Sequence, residues 1–163
     1  MTDHSNRSAR GRAPDDDESA LRNQLAADTT RERYEAALGL VDRADTGLDS
    51  RTIAALATRL REDPDADVRQ FAAEALGVAS ADPAVLEPAL DDDDGWVRAE
   101  AVVALSRAAG GDAADRLRAA LDDEAGPVRR NALIALSKTG AVRTTELRER
   151  LREDPHEPVR EYA

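Results

Sequence analysis

The sequence predicts an all-α fold, an α-solenoid of stacked helix pairs, and three observations support this prediction. The first is a Val-Arg dipeptide that recurs at intervals of 29, 31 and 31 residues. The second is an apolar stripe of helical spacing after each dipeptide, and the third is a shorter amphipathic segment before it. Repeats of this length bury their apolar faces on their neighbours and so form an extended array. The four dipeptides are Val68-Arg69, Val97-Arg98, Val128-Arg129 and Val159-Arg160.

The stripe after each Val predicts the second helix of a pair. Counting from the Val, Ala stands at +4 and +7 and Leu at +8 in the first three copies. These spacings fall on one side of a 3.6-residue helix. The stripe residues are Ala72, Ala75, Leu76, Ala101, Ala104, Leu105, Ala132, Ala135 and Leu136. The small residues that follow each Leu, and that predict a change of chain direction nearby, are Gly77, Ser106 and Ser137.

A weaker copy precedes these three, and first helices are predicted between the stripes. In the weaker copy Arg31, Ala37 and Leu38 align with the later repeats, and Thr30 replaces the Val. Shorter amphipathic segments at 53–60, 85–90, 114–121 and 147–151 predict the first helix of each pair. The turns between paired helices carry Asp-Pro and Gly-Pro dipeptides, which are typical of turns and helix starts.

The chain divides into a tail and a repeat domain. Residues 1–20 are polar, basic at first and acidic later, with little to bury, and they predict a disordered tail. Its arginines, Arg7, Arg10 and Arg12, suggest contact with nucleic acid, but a solvated tail is the favoured interpretation. Residues 21–163 form the repeat domain, with about four helix pairs and a truncated C-terminal copy that begins at Val159. An uncovered last repeat predicts self-association, docking of a partner at that end, or a continuation of the array.

The segments DPDADVRQFAAEALG and DDEAGPVRRNALIALS resemble the HEAT-repeat family, in particular the short HEAT-like repeats of the phycobilisome lyase type. The resemblance extends from about Thr29 to the C-terminus. It implies an α-solenoid, and it leaves activity open because the family includes bilin lyases, deoxyhypusine hydroxylase-like enzymes and non-catalytic scaffolds. The signatures of ankyrin and tetratricopeptide repeats are missing from the sequence.

The recurring arginines have two interpretations. They suggest a cationic stripe for an anionic ligand, yet an Asp stands six residues before each of them. The resemblance implies that such Asp and Arg residues form a hydrogen-bonded ladder between repeats, and charge-assisted pairing makes this the favoured interpretation. The ladder residues are Asp63, Arg69, Asp92, Arg98, Asp123, Arg129, Asp154 and Arg160.

The amino-acid composition argues against some classes of function. The net charge is −11 with 34 acidic residues and 23 basic ones, of which only Lys138 is lysine. This charge opposes nucleic-acid binding. It favours adaptation to a cytosol of high salt, and a coding bias toward Ala, Arg and Asp is the alternative. With no cysteine, thiol chemistry is excluded, and without a long apolar run or a signal segment we expect a soluble, cytoplasmic protein with no membrane contact.

Candidate metal and catalytic sites fail on their spacing. Asp63, Asp65, Asp67 and Glu74 match four positions of a calcium-binding loop, but Val68 stands where that loop needs Gly. His156-Glu157 is the only His-Glu dyad and cannot supply the ligands of a di-iron site. No glycine-rich phosphate loop or activated nucleophile is present. We therefore expect no cofactor, no metal site and no catalytic residues.

The partner surface is predicted where the repeats differ. At +5 and +6 the copies carry Ala73-Glu74, Val102-Val103 and Leu133-Ile134, so the later copies are apolar over a wider arc, which either packs on the first helices or forms an exposed patch. Arg107, Arg129 and Arg130 would flank such a patch. Trp96 is either an anchor for a partner or a residue that packs between repeats. The candidate surface is Trp96, Val102, Val103, Arg130, Leu133 and Ile134. The predicted function is a non-catalytic protein-interaction scaffold or assembly factor, with a bilin-lyase-like enzyme subunit as the alternative.

Overall fold

The computed structural model describes residues 14–140 and 143–161, which form only helices and the turns between them. The α-helices are α1 Pro14–Gln24, α2 Thr30–Ala44, α3 Ser50–Glu62, α4 Ala66–Val78, α5 Pro83–Leu86, α6 Gly95–Ala109, α7 Ala114–Ala119, α8 Gly126–Thr139, α9 Thr144–Arg152 and α10 Glu157–Arg160. Three 3₁₀ segments extend the short first helices, at Glu87–Asp91, Gly110–Ala113 and Ala120–Asp122. Within these described residues, no helix is both long and apolar enough to cross a membrane.

The helices form two layers. The second helices of the pairs, α2, α4, α6 and α8, lie side by side in chain order, and each packs on the next. The first helices cover one side of this layer, where α1 packs on α2, α3 on α4, and the 3₁₀ segment Glu87–Asp91 on α6. This arrangement confirms the predicted all-α solenoid of stacked helix pairs.

The predicted stripe is the core of the array. Val68, Ala72 and Leu76 in α4 are completely buried, and the equivalent residues of α6 and α8 are at most 1% exposed. The first helices contribute one or two leucines each, among them Leu56, Leu60, Leu86, Leu117 and Leu151. Small Ala side chains at +4 and +7 let neighbouring helices approach closely, while Leu and Val supply most of the buried apolar area.

Gly77 marks the closest approach between α4 and α6. A Cβ atom at Gly77 would lie 2.5 Å from the Cα of Ala104, so only glycine fits at this point. The sequence predicts a change of chain direction near this residue, and α4 ends one residue later, at Val78. Ser106 occupies the same position in α6, which continues to Ala109. Gly77 therefore serves helix packing, and α4, α6 and α8 each end within three residues of this position.

The weaker first copy has a different register from the one predicted. Arg33, not Arg31, takes the place of the repeat arginine, and Ala36 and Leu40 are the completely buried stripe residues. Arg31 has a side chain that is 87% exposed and pairs only with Glu35, one turn along the helix. The correction is a shift of two residues, with Glu32 at the position that Val occupies in later repeats.

The start of the helical array differs from the prediction, and some residues at both ends of the chain lie outside the described residues. Helix α1 begins at Pro14, inside the segment 1–20 for which a disordered tail is predicted. Glu18 is buried and accepts a hydrogen bond of 2.8 Å from the backbone N of Asp49, which ties α1 to the start of α3. Residues 1–13, with Arg7, Arg10 and Arg12, and residues 162–163 lie outside the described residues. In the last copy Val159 is completely buried.

Candidate functional site

A ladder of Arg-Asp pairs runs along the edge where first helices turn into second helices. In each rung the Arg Nε and Nη2 donate to the two carboxylate oxygens of one Asp, and the Nε–Oδ2 distances are 2.7–2.9 Å. The Asp belongs to the following repeat, not to the repeat of the Arg itself. The rungs are Arg33–Asp63, Arg69–Asp92, Arg98–Asp123 and Arg129–Asp154.

Each arginine also binds its own turn. The Nη1 of Arg98 donates to the backbone O of Asp92, six residues earlier, at 2.8 Å, and the same bond occurs at Arg69, Arg129 and Arg160. The Asp six residues earlier therefore offers its carbonyl to the Arg of its own repeat and its carboxylate to the Arg of the preceding repeat. Because guanidinium forks match carboxylates in geometry, this bond pattern fixes the stacking distance between repeats.

The turn carboxylates divide into two roles. The first Asp of each turn is a ladder residue, and its Oδ1 also accepts from the backbone N two residues later, as in Asp92 to Asp94 at 2.9 Å. The second Asp caps the following helix, since Asp65 accepts from the N of Val68 and Asp94 from the N of Trp96 and Val97. These roles account for the carboxylates that resemble part of a calcium loop. Across residues 14–140 and 143–161, no group of three or more His, Asp or Glu side chains could hold a metal ion.

The ladder changes the acidity of its members. Burial raises the pKa of Asp92, but the hydrogen bonds from Arg69 and from the Asp94 backbone outweigh this effect, so the pKa lies below its ordinary value. The pKa of Asp63 and of Asp123 is lowered in the same way. The guanidinium groups of the four rung arginines are already hydrogen-bonded to ladder carboxylates. The geometry therefore favours the ladder over a cationic stripe that binds a ligand.

The structure separates the predicted partner residues into two sets. Val102 and Leu133, at +5, are 0% and 5% exposed, so they belong to the core and offer no surface to a partner. Val103 and Ile134, at +6, are half-buried and face the side of the second-helix layer away from the first helices. The prediction therefore needs a correction, because one residue along a helix turns the side chain by about 100° and +5 points into the helix pair.

Val103 and Ile134 line a groove of about 500 Å³ between α6 and α8. From α6 come Val103, Ser106 and Arg107, and from α8 come Asn131, Ile134 and Lys138. Gly110 and Gly111 form one end of the groove, and a Cβ at either glycine would meet nothing within 4 Å. We call this site the α6–α8 groove. Its floor is apolar and its rim is polar and cationic.

The packing between the earlier helices differs from the packing at this groove. Gly77 allows α4 to approach α6 closely, whereas Ser106, at the same position in α6, carries a side chain that lines the α6–α8 groove. Between α2 and α4, Tyr34 and Phe71 pack edge to face with ring centroids 5.1 Å apart. The groove thus depends on side-chain volume at particular positions of the repeat.

The cations of the groove rim are free to meet a ligand. Arg107 and Lys138 are exposed, and neither forms a hydrogen bond or an ion pair within 4 Å among the described residues. Arg130, a predicted surface residue, is half-buried, donates to Asn131 Oδ1 at 3.3 and 3.4 Å, and does not line the groove. Arg129, also expected to flank the patch, belongs to the ladder.

Glu100 is a functional candidate that sequence reasoning missed. Its Oε1 is buried and accepts no hydrogen bond within the described part of the chain. Burial and the charge of Glu74 raise its pKa to about 7, against a weaker opposing effect of Arg107. One signal was available in the sequence. Glu100 stands at +3, on the same helix face as Val103 and Arg107, where the neighbouring repeats carry Phe71 and Asn131.

Trp96 lies apart from the groove. It is 60% exposed at the start of α6, so it does not pack between repeats, which was one of its two predicted roles. Its backbone N donates to Asp94 Oδ1 at 2.8 Å. The site that remains is the α6–α8 groove, with Trp96 as a separate exposed aromatic on the turn edge.

Among the comparisons with known proteins, a family model and a solved structure match this chain. A search of curated proteins finds no match. Among solved structures, the chain is similar to an engineered protein from the Northeast Structural Genomics Consortium, with 18% sequence identity and a TM-score of 0.40 over 89% of this chain and 92% of that one. The sequence model of HEAT repeats matches residues 18–105 and 83–163, which together cover most of the chain. The chain therefore belongs to the HEAT-repeat family.

Proposed function

We propose that this protein is a non-catalytic interaction scaffold or assembly factor, and that the α6–α8 groove is where it binds a protein partner. The observation that carries the proposal is the groove itself, which combines an apolar floor at Val103 and Ile134 with unpaired cations on its rim. Protein interfaces pair an apolar centre with a polar rim in this way. HEAT repeats generally serve protein–protein interaction, which supports the same function.

The dimensions of the groove suit a few side chains of a partner. A volume of about 500 Å³ accepts one or two large apolar side chains, which act as anchors while the surrounding surface excludes water. The floor residues lie on helices that are held near their N-terminal ends by the Arg98–Asp123 and Arg129–Asp154 rungs and along their length by core packing. A preformed groove of this kind lowers the entropic cost of binding.

Affinity capture from the native host in high-salt buffer tests the proposal. We expect the wild type to retain a protein partner in stoichiometric amount, and Ile134→Glu to lose it because a carboxylate would be placed on the apolar floor. Leu38→Glu is the matched control, since Leu38 is an exposed apolar residue at the equivalent position of α2, outside the groove. Equal capture by both variants would contradict the proposal. A stoichiometric pigment or metal ion in place of a protein would support the enzyme-subunit alternative.

A further inference from the structure

The two helices that form the α6–α8 groove carry side chains in three matching layers. On α6 the order is Glu100, Val103 and Arg107, and on α8 it is Asn131, Ile134 and Lys138. Each set follows the spacing i, i+3 and i+7, which places its members on one helix face. All of these residues except Glu100 line the groove, which therefore has a polar end at Asn131, an apolar centre, and a cationic end at Arg107 and Lys138.

This layering is specific to the α6–α8 pair. The cationic layer is formed by Arg107 and Lys138, at +10, where α4 has Val78 and α2 has Asp42. The apolar layer is formed by Val103 and Ile134, at +6, where α4 has Glu74. Within the described second helices, an apolar side chain at +6 is followed by a cation at +10 only in α6 and α8.

The charge of the cationic layer contrasts with the rest of the molecule. The chain has a net charge of −11, and many of its arginines are paired with carboxylates, including those of the four ladder rungs. Arg107 and Lys138 have no such partner within the described residues and stand on the rim of an apolar cavity. Two adjacent unpaired cations beside a preformed apolar site provide charge complementarity for carboxylates.

The opposite end of the groove disfavours a second anionic group. The lining residue there is the uncharged Asn131, and the two cations among the lining residues, Arg107 and Lys138, lie at the other end. Asn131 donates its Nδ2 to the backbone O of Ala99 at 3.0 Å, which fixes the polar layer in place. An anionic segment thus has one favoured orientation, with its carboxylates toward Gly110, Gly111 and the cationic layer.

We propose that the α6–α8 groove binds a short acidic segment of a partner protein, with an apolar side chain on Val103 and Ile134 and neighbouring carboxylates on Arg107 and Lys138. This inference rests on the proposed scaffold function and adds the chemical class of the segment that is bound. The apolar anchor supplies most of the affinity, and the two cations select acidic over basic sequences.

Selection from a phage-displayed random dodecapeptide library tests this inference with a defined probe. We expect the wild type to enrich peptides in which Asp or Glu flanks a large apolar residue. Synthetic copies of these peptides should bind the double variant Arg107→Glu/Lys138→Glu about tenfold more weakly or worse, because repulsion replaces attraction on the rim. Amide chemical shifts of the wild type should change at the groove residues of α6 and α8 when a peptide is added.

The control for this charge reversal is Arg51→Glu/Arg61→Glu on α3. Both arginines are exposed, and the double variant changes the net charge by the same amount at a distance from the groove. It should bind the peptides as the wild type does, because the groove is intact. Circular dichroism establishes that both variants are folded, which is expected since none of the four side chains forms a hydrogen bond or ion pair within the described residues.

A second variant tests the site without changing its charge. Gly111→Phe should fill one end of the groove, because Gly111 is exposed and a Cβ there meets nothing within 4 Å. Peptide binding should be lost, whereas Ala54→Phe on the exposed face of α3 should have no effect. Enriched peptides that depend on Ile134 but show no acidic preference would overturn this inference and leave the scaffold function standing. Absence of any groove-dependent peptide, together with failed capture of a partner, would overturn both.

Discussion

At the scale of single residues, Glu100 introduces an energetic cost into the fold. Its carboxylate is largely buried, and Oε1 has no donor within the described residues. A buried polar group without a hydrogen bond is unfavourable, and a buried charge is more so. The protein reduces this cost by keeping Glu100 protonated at a pH where an exposed glutamate is ionised. Stability should therefore depend on the protonation of Glu100.

Replacing Glu100 with Gln should remove a fall in stability with rising pH. The folded-state pKa of about 7 exceeds the ordinary 4.5, so the folded protein holds a proton that the unfolded chain releases between these values. Stability from this group is present below pH 4.5 and is lost as the pH rises to about 7. At 1.36 kcal/mol per pKa unit the loss is on the order of 3 kcal/mol.

Urea unfolding of wild type and Glu100→Gln across this pH range measures the effect. The variant should gain stability relative to the wild type as the pH rises toward neutrality. Glu35→Gln is the control, since Glu35 stands at the same repeat position in α2 but is exposed. A constant difference between Glu100→Gln and wild type at every pH would show that Glu100 has an ordinary pKa in the folded state.

Arg98→Ala should destabilise the protein by about 2–4 kcal/mol, because it leaves Asp123 and the carbonyls of the turn without their donor. Thermal unfolding measures this loss. Arg61→Ala removes an arginine that is exposed and unpaired within the described residues, so it should change stability by less than about 0.5 kcal/mol. An unchanged melting temperature for Arg98→Ala, with weakened ligand binding, would instead restore the interpretation of these arginines as a binding stripe.

At the scale of helices, the contact between α4 and α6 sets the spacing of the layer. Gly77→Ala should destabilise the protein by about 1–3 kcal/mol, because the new Cβ would overlap the backbone of Ala104 and force the helices apart. The better helix propensity of Ala offsets only about 1 kcal/mol of this. Thermal melts of Gly77→Ala therefore report the fit between α4 and α6.

Gly39→Ala provides the comparison within α2. There the added Cβ would lie 3.1 Å from Cδ2 of Leu21, the end of a flexible side chain that can move aside. We expect this variant to be neutral or slightly more stable, by up to about 1 kcal/mol, from helix propensity alone. Equal losses in Gly39→Ala and Gly77→Ala would show that the close approach to Ala104 is not the cause.

How much the sequence predicts differs between helix cores and the groove. The spacing of Val68, Ala72 and Leu76 determines a buried face, because helical geometry follows directly from sequence separation. The first repeat was misaligned because Thr30-Arg31 resembles the Val-Arg dipeptide, while the ladder itself uses Arg33. The groove was predicted only through Val103 and Ile134. Its depth depends on the distance between α6 and α8, which packing determines and local sequence does not.

At the scale of the whole molecule, excess negative charge remains after the ladder is formed. The chain has 34 acidic and 23 basic residues, and side chains such as Asp93 and Glu124 are about 90% exposed next to the ladder. Repulsion among such carboxylates opposes folding at low ionic strength. The side chains of the ladder pairs are at most 14% exposed, so salt screens them less than it screens exposed charges.

Raising KCl from about 0.1 M to about 1 M should increase the melting temperature, because the screening length falls from about 10 Å to about 3 Å and weakens this repulsion. Chloride is preferable to sulfate in this measurement, since sulfate strengthens apolar burial in any protein. A melting temperature that stays constant or falls with KCl would favour coding bias over salt adaptation as the origin of the acidic composition.

The direction of the ladder bonds bears on how such an array can change in length. Every internal rung joins an Arg to the Asp of the next repeat, so each repeat offers the same donor on one side and the same acceptor on the other. Removal of residues 92–122 would place Asp123 where Arg69 now meets Asp92. Duplication or loss of a whole repeat thus conserves the junction on both sides. Evolution can add or delete modules here, and only the α6–α8 pair ties the proposed binding site to particular repeats.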